Sequence, residues 1–419
     1  MVNFSYEVRT VNRITEQIET PLIDTYDTVV VGGGVAGVAA ALAAARHGSR
    51  VLLIEKQTVL GGLATAGHII IYLPLCDGLG NKVIGGISEE LLWESIRYGK
   101  GTLDPAWHSR PMHADTDKRY ETVFNAGEFA FRLEELLEEA GVALLYDTVL
   151  VNVAKSEKRI DAVIVENKSG RQAYGCKAVV DASGDGDVFA RFGADFGEQD
   201  NFLAYWSYYV DDKKDEKLKI MTVGSNTGGG LPEGARKYRG TDVTEVTEFL
   251  KASHALGFER IKHGKNGEVL ASFPSMAQFR TTRRLIGAYT MTHGDLFRHQ
   301  EDSVGCAGDW RKREDVYEIP YRALYTEQID NLFAAGRNIS SEGDTWEVTR
   351  VIPVAAATGH AAGIAAAMIA ESGKTAKELP IAPLQNALAA DGVILHYDRE
   401  HVLRANVNKD EAVRIEGEE

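Results

Sequence analysis

Residues 26–56 read YDTVVVGGGVAGVAAALAAARHGSRVLLIEK, and the spacing within this stretch decides the fold. Val29, Val30 and Val31 form a β-branched apolar run suited to a strand buried on both faces. Gly32, Gly34 and Gly37 follow with GxGxxG spacing. The Ala-rich segment Val35–Arg46 predicts a helix, which Gly48 can end. Val51–Ile54 predicts a second strand with Glu55 at its end. Gly32 permits a tight turn, Gly34 lets backbone approach a pyrophosphate, and Gly37 lets helix pack on strand. The first helical turn, with Val35 and Ala36, offers N–H groups and a partial positive charge to phosphates. Glu55 can accept hydrogen bonds from the two hydroxyls of an adenosine ribose. A glycine triplet alone is weak evidence. A strand–turn–helix–strand unit with the acid at this distance is specific for dinucleotide binding.

The remaining composition narrows the function. A length of 419 residues allows two or three domains. The formal net charge of −15 argues against general nucleic-acid binding and against adsorption to anionic membranes, so neither is expected as a partner. Residues 1–20 carry Glu7, Arg9, Arg13, Glu16 and Glu19 with no apolar run, so no secretory signal is expected. The most membrane-like window, 351–370, holds Thr358, Gly359, His360 and Gly363, which fits a packed helix better than a membrane span. Cys76, Cys176 and Cys306 are far apart and form no CxxC, which argues against a disulfide framework, a zinc site, an iron–sulfur cluster and a redox-active cysteine pair. A cytoplasmic setting is the expectation.

Along the chain, Gly85–Trp93 predicts a glycine turn entering a helix, with Ser88 as its cap. Glu128–Ala140 predicts a helix ended by Gly141, and Val142–Tyr146 a strand. The runs Thr148–Val153, Ile160–Glu166 and Gln172–Val180 predict a β-meander that leads into a second glycine-rich turn, Ala182 to Asp187. Residues 196–320 change character, with aromatics at 202–209, and read as a substrate or cap domain. Asn331–Gly336 returns to the buried-strand pattern, and Pro353–Ser372 predicts a long helix with Pro353 in its first turn. The expected organisation is therefore a first cofactor-domain segment (1–195), the cap (196–320), a return segment (321–375) and a C-terminal helix and tail (376–419).

Nucleotide-domain patterns recur at 26–56, 178–187 and 331–371, while only one complete phosphate fingerprint is present. A chain that leaves and returns suits one long cofactor touched by several segments. FAD is therefore expected, without a second site for NAD(P)H. The segments VVVGGGVAGVAAALAAARHG, EKQTVLGGLATAG, VVDASGDGD, FRTTRRLIG and LFAAGRNIS…TRVIPVAAATGHAAGIAAA together resemble the FAD-dependent oxidoreductase family of the glutathione reductase-like two-domain fold. This group is distantly similar to the fumarate reductase and succinate dehydrogenase flavoproteins. The resemblance implies an α/β fold: a Rossmann-like FAD/NAD(P)-binding domain with an inserted β-meander, and a second α+β cap domain.

It also implies roles. Lys56, Gly61, Gly62 and the Ala64–Thr65–Ala66 loop would approach the ribityl chain and isoalloxazine. Val149 to Val151 would lie beside adenine, and Ala182, Ser183, Gly184 and Asp185 would line the adenosine side. Gly336, Arg337 and Asn338 would carry a second flavin contact, with Arg337–Asn338 in place of the Asp common in related flavoproteins. Gly359 and His360 would begin the exposed turn of a helix aimed at the flavin N1–C2=O edge.

Flavin performs electron transfer, so the protein supplies anchors and proton carriers. Arg283, within FRTTRRLIG beside Arg280 and Arg284, and Arg350 are candidate anion anchors; each has a structural ion pair as its alternative. His68 and His293 are candidate acids or bases, with a buried hydrogen-bonded role as alternative. Cys306 reads as a small buried residue. His108, His113, Asp115 and Asp117 have metal-ligand composition without convincing spacing, so no metal site is expected. The favoured function is an FAD-dependent oxidoreductase that transfers a hydride between a small polar or anionic substrate and flavin N5. The alternatives are a flavin monooxygenase or prenyl-type reductase, a tRNA-modification-linked flavoprotein, and a non-catalytic dinucleotide-binding protein. The electron acceptor and any homo-oligomerisation stay open.

Overall fold

The computed structural model describes residues 16–98, 101–103, 121–211, 213–222, 233–263 and 267–398. The histidine- and aspartate-containing segment at 108–117, the glycine loop at 228–230 and the tail from 399 lie outside them. In chain order, β1 (Leu22–Val31), α1 (Val35–Arg46) and β2 (Val51–Ile54) form the dinucleotide unit. Next come β3 (Ile71–Tyr72), α2 (Ile87–Ser95), β4 (Thr122–Val123), α3 (Ala126–Glu139) and β5 (Ala143–Leu145). The meander is β6 (Val149–Ser156), β7 (Arg159–Asn167) and β8 (Gly170–Asp181), followed by the short α4 (Asp187–Phe192).

The middle of the chain contributes β9 (Phe196–Glu198), β10 (Asn201–Phe202), β11 (Ala204–Val210), β12 (Glu216–Thr222), β13 (Lys237–Tyr238), α5 (Val243–His263), β14 (Val269–Ser272) and β15 (Arg283–Leu285). The return carries β16 (Ser303–Gly308), β17 (Val316–Pro320), β18 (Leu332–Ala334), α6 (Gly343–Thr349), α7 (Ile352–Ser372) and α8 (Ile381–Ala390).

A seven-stranded sheet runs β5-β2-β1-β8-β7-β6, with β18 also paired to β8. β8 pairs with β1 along one edge and is long enough to serve two partners along the other. Its first half pairs antiparallel with β7, and its last residues pair parallel with β18. Val31 lies opposite Ile54 and Asp181, and Asp181 lies opposite Ala334. Four parallel strands thus finish level, and the glycine turns of three separate segments meet at their carboxyl ends. Open α/β sheets bind ligands there.

α1 and α7 cross closely against this sheet, because Gly359 and Gly363 are one turn apart on α7. A Cβ at either would stand 2.1 Å from the Ala36 carbonyl oxygen or 2.2 Å from that of Ala40. α7 is long and apolar enough to cross a membrane, but it is the buried core helix of this fold.

The cap has an antiparallel sheet, β12-β11-β14, and a small core of Tyr238, Phe249 and Phe279 under α5. β16 and β17 lie within the 196–320 segment, yet Val304, Cys306, Val316 and Ile319 pack into the main core. The cap of α2 also differs from expectation. Gly86, at φ +63°, is its N-cap, and Ser88 Oγ instead donates to the Pro353 carbonyl at 2.8 Å.

Candidate flavin and substrate site

The turn after β1 is shaped by what its glycines exclude. Gly32, at φ +101°, sits where a Cβ would be 2.4 Å from the Ala182 carbonyl oxygen. At Gly37 a Cβ would be 1.8 Å from the Gly32 oxygen, so α1 could not approach the turn. Around Gly34, in contrast, the space is open. Gly34 is also the N-cap of α1, with no capping side chain and no acid in the first turn. The N-terminal N–H groups and the positive end of the helix dipole are left for an anion. Glu55 is 5 % exposed, with Oε2 accepting from Gly33 N–H at 2.6 Å and Oε1 from Gln57 N–H at 2.7 Å. These bonds fix a carboxylate whose remaining lone pairs can accept from ribose hydroxyls.

Three cavities adjoin to make one elongated trough. The first, about 40 Å³, is lined by Lys56, Val149, Leu150, Ser183 and Asp187. It shares Gly32 and Ser183 with a second, of about 110 Å³, which passes Gly34, Val35, Ala36, Gly61, Gly62 and Ala64 to Gly336, Arg337 and Ile352. The second shares Leu63, Arg337, Arg350 and Ile352 with a third, a chamber of about 250 Å³ under the cap. Adenine pocket, phosphate turn and wide end thus come in the order an extended adenine dinucleotide requires. The crevice above Gly32 is not plugged by side chains. The residues present fit FAD.

Several expected contacts fall elsewhere. Thr65 and Ala66 face a different cavity, and Gly37 and Val151 line no part of the trough; Glu55 is not in its lining either, although its neighbours Ile54 and Lys56 are. Asn338 is fully buried, donating to the Asp181 carboxylate at 3.0 Å rather than facing a ligand. Arg337 lines the trough, but its guanidinium bonds Asp185 Oδ1 at 2.6 Å and the Gly184 carbonyl at 2.7 Å. Asp185 is consumed in that pair and in a 3.4 Å contact with Lys56. Burial alone would raise its carboxyl pKa, but the charges of Arg337 and Lys56 outweigh burial and hold it below the usual range.

Gly359 and His360 require a correction. Neither begins a helix. Both lie in the middle of α7, where Gly359 packs on α1 and His360 is fully buried. His360 Nε2 reaches Asp391 at 2.9 Å, and its Nδ1 faces the Ile87 N–H at 3.4 Å. The end of α7 that reaches the trough is Ile352, preceded by Arg350, again with no capping side chain and no acid in the first turn. A helix dipole there favours negative charge by about 0.3–1 kcal/mol.

The expected catalytic residues scatter. Of the four, only Arg350 lines the trough and chamber. It is partly neutralised by the buried Glu347, whose Oε2 accepts from its Nε at 3.1 Å. Arg283 is not free to anchor a substrate, because its Nη1 bonds the Asp185 carbonyl at 3.1 Å and Asp187 Oδ1 at 3.3 Å. Arg284, on the opposite side of the strand, pairs with Glu342. His293 Nδ1 lies 3.1 Å from the Tyr317 hydroxyl, away from the chamber lining. His68 lines a separate cavity of about 360 Å³ with Tyr208 and Ser272. Its backbone is left-handed, at φ +55°, and burial pushes its pKa down. The cysteines are free and buried, and burial pushes the Cys76 thiol up to about 11 and Cys176 up to about 12, so neither is a thiolate nucleophile.

A further arginine of the same motif, Arg280, lines the chamber. It lies among Trp206, Phe279, Trp310 and Arg350. Its guanidinium stacks on Phe202 at 4.3 Å and makes no ion pair among the described residues. Burial first, and then the charge of Arg350, lowers its pKa to about 10. The sequence signal for it is the FRTTRRLIG motif, which holds three arginines and does not say which one faces the chamber.

Comparison with known proteins gives the family. The family model for FAD-dependent oxidoreductases matches residues 27–201 and 195–388. Vinyl phenol reductase of Lactiplantibacillus plantarum is 33 % identical over 136 residues, 30 % of this chain and 27 % of that protein. Digeranylgeranylglycerophospholipid reductase of Thermoplasma volcanium is 24 % identical over 173 residues, 41 % of this chain and 42 % of that protein. The chain therefore spans less than half the length of these curated relatives. Among solved structures, p-nitrophenol 4-monooxygenase of Pseudomonas putida superposes with a TM-score of 0.47 at 12 % identity, over 93 % of this chain and 94 % of that one.

Proposed function

The chain belongs to the FAD-dependent oxidoreductase family, and on that premise we propose that it transfers a hydride between a small anionic substrate and N5 of its flavin. One observation carries this reading: Arg280 and Arg350 face one chamber at the wide end of the trough, where the single carboxylate of Glu347 pairs with Arg350 and Arg280 makes no ion pair among the described residues. Two guanidinium groups beside one carboxylate leave an excess positive charge in an apolar setting, which is costly, and an incoming anion offsets that cost. When bound, FAD supplies the two-electron chemistry at N5.

The chain's own residues do the rest. The first turns of α1 and α7 both line the middle cavity of the trough. Glu55 orients the adenosine end, while the Asp185–Arg337–Lys56 network locks the turn after β8. Leu63, Ile69, Ile71 and Leu73 exclude water from the chamber, which strengthens the pull of Arg280 and Arg350 on a carboxylate.

The test is anaerobic bleaching of the bound flavin by a panel of hydroxy acids, dicarboxylates and unsaturated acids, beside their neutral amides or esters. Anions should react and neutral analogues should fail. Equal reaction of both sets would remove the arginines from the mechanism. The apolar walls with Trp206 and Trp310 favour a second reading, a monooxygenase or prenyl-type reductase acting on an aromatic or hydrocarbon substrate. Rapid flavin reduction by NAD(P)H in stopped-flow experiments would support that reading and count against the first.

A further inference from the structure

Away from the trough lining, two imidazoles converge on one carboxylate. Glu318 lies on β17 and is 5 % exposed. Its Oε2 is met by His396 Nδ1 at 3.0 Å, His299 Nδ1 at 3.4 Å and the Gln300 N–H at 2.8 Å. Its Oε1 accepts from the Tyr397 N–H at 3.2 Å. The two imidazoles lie 4.6 Å apart, inclined at 39°. The Gln300 N–H and His396 Nδ1 already occupy the two lone pairs of Oε2, so His299 Nδ1 stands close to the carboxylate without a hydrogen bond of its own.

We propose that His299, Glu318 and His396 form a site for one divalent transition-metal ion of the zinc class. The ligand atoms lie within 4.8 Å of one another. Tetrahedral zinc with bonds of about 2.0–2.1 Å separates its ligands by roughly 3.3–3.4 Å, so the observed spacing needs only small rotations of exposed imidazoles. Two imidazoles and a carboxylate suit zinc, nickel or copper, whereas calcium and magnesium prefer all-oxygen sets. Cys306 sits across from Glu318 on β16 and is fully buried, while the grouped ligand atoms are those of His299, Glu318 and His396. His299 and His396 are 66 % and 42 % exposed, which gives the ion an entry path and leaves its fourth position to water. The donors come from the segment before β16, from β17 and from the segment after α8, so the ion staples the chain beyond α8 to the main body. None of them lines the flavin trough or chamber, so this role is structural and independent of hydride transfer.

The test uses the full flavin-loaded chain without a histidine tag, stripped with a chelator and titrated with zinc chloride by calorimetry, with the unfolding midpoint followed in parallel. One ion should bind per chain, the midpoint should rise by several degrees, and the flavin spectrum should be unchanged. Glu318→Gln weakens the acceptor of the Gln300 and Tyr397 backbone N–H groups and can fail to fold, so the decisive variant is the surface pair His299→Ala with His396→Ala. It should keep its flavin and lose both binding and the rise in midpoint. No stoichiometric binding by the parent chain, or the same affinity in the double variant, would overturn the assignment.

Discussion

Gly359 of α7 lies directly on Ala36 of α1, and any side chain at 359 would meet the Ala36 carbonyl oxygen at 2.1 Å. This contact sets how closely the two helices whose first turns face the trough can approach. Gly359→Ala should destabilise the fold by about 1–3 kcal/mol through overpacking. Because α1 begins in the phosphate turn, flavin affinity should fall as well. Urea denaturation and flavin fluorescence titration on the same variant check both effects. Unchanged stability would mean that the helices part more easily than this packing allows.

Glu55 tests the adenosine end. Its carboxylate is held by Gly33 and Gln57 N–H groups, so Glu55→Gln keeps the shape but weakens charge-assisted bonding. FAD affinity should drop roughly ten- to hundredfold. A fluorescence titration against FAD and FMN gives a sharper reading. FMN has no adenosine, so its weaker binding should be unaffected by the substitution.

The cofactor half of the molecule was legible because its signals are local. The glycine spacing from Gly32 to Gly37, the meander turns and the Ala-rich helix each report on neighbours a few residues away. The substrate half was not. Arg280, Arg283 and Arg284 share one motif, and which of them is free depends on Asp185, Asp187 and Glu342, far along the chain. The family resemblance places Gly359 and His360 at a helix start, whereas the residue pattern already puts Pro353 in the first turn, and Gly359 is small because α1 crosses there. The cluster of His299, Glu318 and His396 spans almost a hundred residues and has no spacing that a motif could reveal.

Arg280 and Arg283 should therefore separate experimentally. Arg280→Met, which keeps the length of the side chain, should raise KM for an anionic substrate roughly ten- to hundredfold while flavin content stays constant. Arg283→Met should leave KM alone and loosen the adenosine side, since its partners Asp185 and Asp187 stand there. Steady-state kinetics and flavin occupancy on the two variants distinguish them. The reverse pattern would return the anchor to Arg283.

Asp391 predicts how the fold responds to acid. It caps the end of α8 and accepts from His360 Nε2 at 2.9 Å, with His47 Nε2 at 3.2 Å. The bond from His360 leads in lowering its pKa from 3.8 to about 2, against the opposing effect of burial, with His47 adding to the shift. A carboxyl depressed in the folded state stabilises the fold fully above its unfolded pKa, and that stabilisation is lost as pH falls through the folded one. The stability of the parent chain should thus decline between about pH 4 and about pH 2 from this group. Asp391→Asn should be less stable near neutrality, and its stability should depend less on pH across that window. Its side chain is more than a third exposed, so the effect is modest and should shrink with added salt. Denaturant midpoints at successive pH values for both chains decide the matter. Parallel curves would show that His360 and His47 bind Asp391 no better than water does.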